Sequence, residues 1–317
     1  MINKIAITIG DPNGIGPEIT IKALQQLKCS NKIVVIGNSD ILKFYGGCDV
    51  CSEYEIIEIP YDKKNINVGK IDKFAGEFAF RALEKACLMA QEHKIDGIVT
   101  APVSKNSMNL AGHCYSGQTE VLEKYLAKSE QQAQMLFCAK NLNVLLLTRH
   151  IPLSVVSQKI TQELVINTVL DTQKVFCEKF NVANPKFALC AINPHAGEDG
   201  ILGSEEQDIL IPAVNKLKYQ NTNIQGPFPA DAFFAKIAET YWQNNKSLYD
   251  CIFVPYHDQG LIPVKMLAGK KAVNTTIGLD VIRTSPSHGT AFDIAGKNIA
   301  DPSSMIEAIN FLLNLKN

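Results

Sequence analysis

Three histidines stand at the ends of apolar runs of strand length. His150 follows Leu142-Asn-Val-Leu-Leu-Leu-Thr-Arg149, His195 follows Phe187-Ala-Leu-Cys-Ala-Ile-Asn-Pro194, and His257 follows Cys251-Ile-Phe-Val-Pro-Tyr256. Open α/β sheets bind ligands outside the carboxyl ends of their strands, so imidazoles presented there can converge on one site. Three neutral imidazoles form a ligand set for Zn, Co, Ni or Fe and leave coordination positions open for a substrate. Taken singly, each is as well read as a loop histidine bonded to a backbone carbonyl. The chain has 6 histidines, and half of them at strand ends beside Pro, Gly and Asp favours a shared metal site.

A second chemistry, anion binding, is written around and after these residues. Tyr256-His-Asp-Gln-Gly260 leads to Lys265 and Asn274, and then to Arg283-Thr-Ser-Pro-Ser-His-Gly-Thr-Ala-Phe-Asp-Ile-Ala-Gly-Lys297. Lys265 and Arg283 each suit a phosphate or carboxylate, Arg through a bidentate fork, although most single cations are solvated surface residues. Thr100-Ala-Pro-Val-Ser-Lys105 follows a strand end, and Gly117-Gln-Thr-Glu120 opens a helix whose N-terminus can cap a phosphate. The loop Gly10-Asp-Pro-Asn-Gly-Ile-Gly-Pro-Glu18 has glycines for close backbone approach, a Pro suited to a first helical turn, and a buried-looking Asp11. It fails the Rossmann fingerprint, since the third glycine position holds Ile19, and it lacks the Gly-Lys-Ser/Thr of a P-loop. A plain strand-to-helix turn explains it equally well.

These residues need elements to hold them. Strand-length apolar runs at Lys4 to Ile9, Lys32 to Ile36, Glu55 to Ile59, Gly97 to Thr100, Ala133 to Cys138, Val144 to Thr148, Phe187 to Ala191 and Asp250 to Val254 alternate with helical-period segments. Phe74 to His93 and Thr161 to Phe180 are the clearest helices. The alternation predicts an α/β fold with a largely parallel sheet. No repeat or low-complexity segment is present, and domain boundaries are weakly marked.

Composition fits an ordinary globular chain. Its 317 residues are 46% hydrophobic and 20% charged, enough for two domains, and a net charge of -1 gives no global field to attract nucleic acid or an anionic membrane. The start runs directly into a strand-like segment, without a signal-type apolar core, and no apolar run reaches membrane-spanning length, so a cytoplasmic protein is expected. The 9 cysteines are an odd, scattered set, which is not a disulfide framework. The lone Cys48-Asp-Val-Cys51 is read as a coincidence in a Gly-rich loop after a helix.

Taken together, the Gly10–Glu18 and Thr100–Lys105 motifs, Asn193-Pro-His-Ala-Gly-Glu198, Gly226-Pro-Phe-Pro-Ala-Asp231, Tyr256–Gly260 and Arg283–Ala291 resemble the 4-hydroxythreonine-4-phosphate dehydrogenase family of vitamin B6 biosynthesis. The resemblance covers essentially the whole chain. It implies two α/β/α domains of the isocitrate/isopropylmalate dehydrogenase type, not a Rossmann fold. The first domain is expected over 1–125 with 265–317 and the second over 126–264, with the active site in the cleft.

The resemblance implies one divalent metal per site, Zn, Mg or Co, on His150, His195 and His257 between two subunits of a homodimer with shared sites. It implies that Gln118, Thr119, Lys265, Asn274 and Arg283 contact a phosphorylated small-molecule substrate. Gln118 departs from the family, which usually has His there; glutamine can donate to phosphate but carries no charge. NAD, with NADP possible, is expected against His288, Gly289, Thr290 and Asp293, and more remotely Asp11 and Gly14. Lys265, Asp231 and Asp258 are the candidates for catalytic proton transfer or ordering of the metal shell. The implied reaction is oxidation of the amino acid phosphate to a β-keto acid that loses CO2. A sister dehydrogenase acting on 4-phosphoerythronate or 4-phosphothreonate, an acyltransferase on a related fold, and a non-catalytic binding protein are the alternatives.

Overall fold

The computed structural model describes residues 4–28, 30–128, 131–244 and 247–315. Its strands are β1 (Ile5–Thr8), β2 (Ile33–Gly37), β3 (Glu55–Glu58), β4 (Gly97–Thr100), β5 (Gln134–Ala139), β6 (Leu142–Leu146), β7 (Phe187–Cys190), β8 (Ile224–Phe228), β9 (Cys251–Val254), β10 (Val273–Ile277) and β11 (Ile282–Pro286). The chain forms two compact units, Met1–Ala133 with Val273–Leu315, and Gln134–Ala272.

In the first unit the strand order is β3-β2-β1-β4-β11-β10, parallel except for β10 against β11. β1, β2 and β4 are buried along their whole length, which is why they read as unbroken apolar runs rather than alternating ones. The edge strand β3 begins and ends with glutamate and is the most exposed of the set. The helix Lys73–Gln91 starts where the Asp72 carboxylate accepts from the N–H groups of Phe74 and Ala75, and it buries Ala75, Phe78, Ala79, Ala82, Leu83 and Ala86 at helical spacing. Gly76 lets it lie on the helix Lys105–Leu110, because a Cβ there would stand 2.0 Å from the Ser107 carbonyl oxygen.

In the second unit the order is β5-β6-β9-β7-β8, with β5 and β6 an antiparallel hairpin and the rest parallel. Alternate residues serve opposite faces. Phe187 and Phe253 meet edge-on at 5.4 Å on one face, and Phe176 of the helix Gln162–Glu178 joins them. Thr161 caps that helix, its hydroxyl accepting from Leu164 N–H. On the other face Val144, Leu146, Ile252 and Val254 pack with Ile237 and Tyr241 of the helix Ala230–Asn244 and with Leu261 and Val264 of the helix His257–Ala268. Both units are thus α/β, as the alternation of elements predicts.

Three strands escape the sequence reading. β10 and β11 are built from Val-Asn-Thr-Thr-Ile and Ile-Arg-Thr-Ser-Pro, polar by type yet almost wholly buried. β8 carries Gly226-Pro227, which ordinarily argues against a strand. β6 begins at Leu142, two residues before the expected Val144. Cys48 and Cys51 lie on a short helix, Cys48–Glu53, not in a loop, because Gly47 ends the preceding turn and the next residues keep helical bonding. Both are free thiols, and Cys87, Cys138, Cys190 and Cys251 are buried as small apolar groups. No helix among the described residues is long and apolar enough to cross a membrane.

Candidate functional site

In the first unit, three consecutive residues at the carboxyl end of β4 each anchor one part of a polar site. Thr100 accepts from Arg283: Nε lies 2.8 Å from its hydroxyl oxygen and a terminal guanidinium nitrogen 2.5 Å. Ala101 accepts from Gln118 Nε2 at 3.3 Å. Pro102 accepts from Asp11 N–H at 3.0 Å, and Gly10 sits so close to that carbonyl that a Cβ would come within 2.3 Å at φ +74°. A left-handed residue in contact with backbone is a position that only glycine fills without strain.

Arg283 is only 3% exposed, and its hydrogen bonds among the described residues all go to threonine hydroxyls, Thr100 and Thr276. Burial pulls its pKa down to about 10, so it remains a cation at neutral pH. Buried cations ordinarily have an anion against them; here the Glu120 carboxylate pulls the other way from burial, with no ion pair to Arg283 among the described residues. Asn274 shares a face of β10 with Thr276, and its Oδ1 is buried without a protein partner, as is Gln118 Oε1. Thr119 is buried in the first turn of the helix Gln118–Leu126, whose Gly117 provides no side-chain cap. Gln118, Thr119, Asn274 and Arg283 therefore all belong to one unit, and the structure brings Gln118 and Arg283 to the same strand end. Of the two threonines that hold Arg283, Thr100 opens a run noted in the sequence but with no role given to it, and Thr276 is not singled out there. A hydroxyl after an apolar strand in Thr100-Ala-Pro was the available signal.

The two stretches expected to hold the cofactor also meet. Ile15 N–H donates to the Thr290 carbonyl at 3.0 Å, and a Cβ on Gly14 would lie 3.0 Å from the Thr290 side chain. Gly69 passes close to the Phe292 carbonyl, while Asn13 accepts from Asn67 N–H and donates to Lys70 O. His288, Gly289 and Asp293 are exposed on this segment. Asp11, wholly buried beside it, has its pKa raised to about 6 by loss of solvent, against the pull of Asn13 N–H.

In the second unit the strands that precede the three histidines, β6, β9 and β7, are adjacent and parallel, so all three residues leave the same edge of the sheet. Thr148 ties the ends of β6 and β9, its N–H and hydroxyl both donating to Pro255 O. The His150 and His257 rings come to 5.6 Å between centroids. Gly260 lets the helix that starts at His257 approach the sheet, since a Cβ would meet Val254 and Val144 at 2.7 and 2.8 Å. His257 Nδ1 lies 2.6 Å from Asp258 Oδ1, which leaves Nε2 as the outward ligand face. Two imidazoles thus lie side by side, of a type that binds divalent metals, while no group of three or more His, Cys, Asp or Glu among the described residues is arranged to hold a metal ion. Lys265, on the same helix as His257, is exposed, as is Asp231 in the first turn of the helix Ala230–Asn244.

His195 is presented differently. It begins six consecutive residues with positive φ, His195, Ala196, Gly197, Glu198, Asp199 and Gly200, of which only two are glycine. Left-handed backbone costs a non-glycine residue roughly 1–2 kcal/mol, so surrounding structure must impose it. Glu206, 0% exposed, lies at its entrance from the next helical segment: Oε1 accepts from Ile192 N–H and Asn193 N–H at 2.8 Å each, and Oε2 from Asn193 Nδ2 at 2.8 Å. Neither Glu206 nor Asn193 carried a sequence signal of this role.

The profile of the family described as pyridoxal phosphate biosynthetic protein PdxA matches residues 6–312. The 4-hydroxythreonine-4-phosphate dehydrogenase of Sulfurihydrogenibium sp. (strain YO3AOP1) is 40% identical over 329 aligned positions, covering 99% of this chain and 98% of that protein. The D-threonate 4-phosphate dehydrogenase of Cupriavidus necator is 37% identical, covering 96% and 95%. The crystal structure of 4-hydroxythreonine-4-phosphate dehydrogenase from Klebsiella pneumoniae superposes with a TM-score of 0.85 at 32% identity, covering 98% of this chain and 97% of that one. With an α/β architecture common to both, a match that spans nearly the full length and a polar site built at strand ends, this chain belongs to the PdxA family of pyridoxal phosphate biosynthetic proteins.

Proposed function

We propose that this protein is an NAD-dependent, divalent-metal-dependent dehydrogenase. Its substrate is 4-hydroxy-L-threonine 4-phosphate, and the product is 2-amino-3-oxo-4-phosphooxybutanoate. The observation that carries the reading is Arg283, a buried cation bonded only to hydroxyls, beside buried amide oxygens that lack protein partners. Arg283 is suited to a dianionic phosphate, with Thr119 and the free N–H groups at the start of the helix Gln118–Leu126 adding donors, while the amide oxygens, which only accept, suit donor groups of the substrate rather than its phosphate.

His150, His195 and His257 would hold one ion, Zn, Mg or Co, shared between the subunits of a homodimer. When bound, that ion would supply Lewis-acid lowering of the substrate hydroxyl pKa, and NAD, or NADP, would supply the hydride acceptor. The chain's own residues do the rest. Asp258 fixes the His257 ring through Nδ1, Asp231, open to solvent, receives the hydroxyl proton, and Lys265, also open to solvent, neutralises substrate anions. His288, Gly289, Thr290 and Asp293, steadied by the Asp11 and Gly14 loop, would take the cofactor. The resulting β-keto acid loses its carboxylate as CO2, leaving 3-amino-2-oxopropyl phosphate. We place the enzyme in the cytoplasm, where the cofactor pool lies.

A second reading, oxidation of a 4-phosphorylated threonate or erythronate, is favoured by the Cupriavidus relative and by Gln118, a neutral residue where the resembling family usually has His. NADH formation from the amino acid phosphate and from both hydroxy acid phosphates, with and without chelator, tests both. Chelator-sensitive turnover of the amino acid phosphate supports the first, preference for a hydroxy acid phosphate selects the second, and NADH from none removes both.

A further inference from the structure

We infer that Glu206 and Asn193 form a clamp that sets the position of the His195 imidazole, so that Glu206 is a positioning residue for metal binding. The inference rests on the metal reading above.

The geometry is specific. Six successive left-handed residues, His195 to Gly200, follow Pro194, and four of them are not glycine. A chain of L-residues does not hold such a run unaided, because each Cβ crowds the following carbonyl. The two residues that lead into it, Ile192 and Asn193, both donate their backbone N–H to one oxygen of Glu206, and the Asn193 side chain donates to the other oxygen. The same Asn193 amide also donates to Glu205 Oε2 at 2.7 Å. The run is pressed closely on this carboxylate: a Cβ on Gly197 would lie 2.7 Å from Glu206 Oε2, and one on Gly203 only 2.4 Å from Asn193 Nδ2. Glu206 is itself wholly buried and has no ion pair among the described residues, so its hydrogen bonding is spent on this turn. A carboxylate is the side chain that can accept three such bonds. A glutamine of the same shape would turn an NH2 toward a donor on at least one side.

Partners of metal-ligating residues typically change metal affinity 10–100-fold when removed. Glu206→Gln and Asn193→Ala are expected to weaken Zn2+ affinity by that factor, measured by competition with a chromophoric chelator at a temperature where both variants are folded by circular dichroism. A structural role alone would lower the melting temperature and leave the affinity of the folded protein unchanged. The cycle with His195→Ala separates the two: a clamp that works through His195 has no further effect on affinity once the imidazole is gone, whereas an independent effect adds. Zn2+ affinity within twofold of wild type in folded Asn193→Ala overturns the clamp even if Glu206→Gln does not fold. A wild-type protein that holds none of Zn2+, Co2+ and Mg2+ overturns the metal reading and the clamp together.

Discussion

Arg283 sits in the first unit with only threonine hydroxyls bonded to it, and that costs the substrate-free protein stability. Its pKa is drawn down to about 10 by burial, from an ordinary value of roughly 12.5. At about 1.36 kcal/mol per decade, keeping the charge folded costs on the order of 3 kcal/mol. For a base whose folded pKa is lowered, this cost is fully present below about pH 10, so it is constant between pH 6 and 8. Arg283→Met removes the charge and approximately keeps the volume, but loses the bonds to Thr100 and Thr276, which together contribute about 1–2 kcal/mol. The balance is a gain of about 1–2 kcal/mol, or roughly 2–8 °C for a unit of this size. Thermal unfolding without ligand should show that rise. Phosphate at 100 times its Kd should stabilise the wild type by about 2.7 kcal/mol and leave Arg283→Met unchanged. A variant that melts below wild type, or one still stabilised by phosphate, would refute the assignment of Arg283 as an anion site held ready at the expense of stability.

Asp11 gives a pH signature. Its folded pKa of about 6 lies above the unfolded value of about 3.9, so the group costs up to about 3 kcal/mol above pH 6 and nothing below about pH 4. Asp11→Asn should raise the melting temperature at pH 8 and flatten the fall in stability between pH 4 and 6, which a melting series across that range reads directly. Asp258→Asn should weaken metal affinity 10–100-fold by loosening the His257 ring, with the fold intact by circular dichroism. Gly76→Ala places a Cβ 2.0 Å from Ser107 O, and urea unfolding should show a loss of about 3 kcal/mol despite alanine's better helix propensity. Gln118→His should introduce a cation near Arg283 below about pH 6.5, and KM for the phosphorylated substrate should then fall in acid relative to wild type.

Where burial is achieved with apolar side chains, the sequence alone carries the information. The runs at β1, β2, β4, β7 and β9 are legible because both faces of those strands are covered. The helix ends at Asp72 and Thr161 are legible because capping is local chemistry. The same is true of the residue types at issue, with the strand-end histidines and Arg283 standing out beside Gly, Pro and Asn. Tertiary structure decides what depends on partners distant in the chain. Thr100 and Arg283 are 183 positions apart, and only their pairing turns a polar Ile-Arg-Thr-Ser-Pro segment into a buried strand. Because β10 and β11 return to the first unit after the second is complete, no composition shift marks where one unit gives way to the other. The left-handed turn at His195 is likewise invisible to local preference, which opposes it. One buried carboxylate, Glu206, accepts three hydrogen bonds at its entrance, and that is a property of the folded unit rather than of any segment within it.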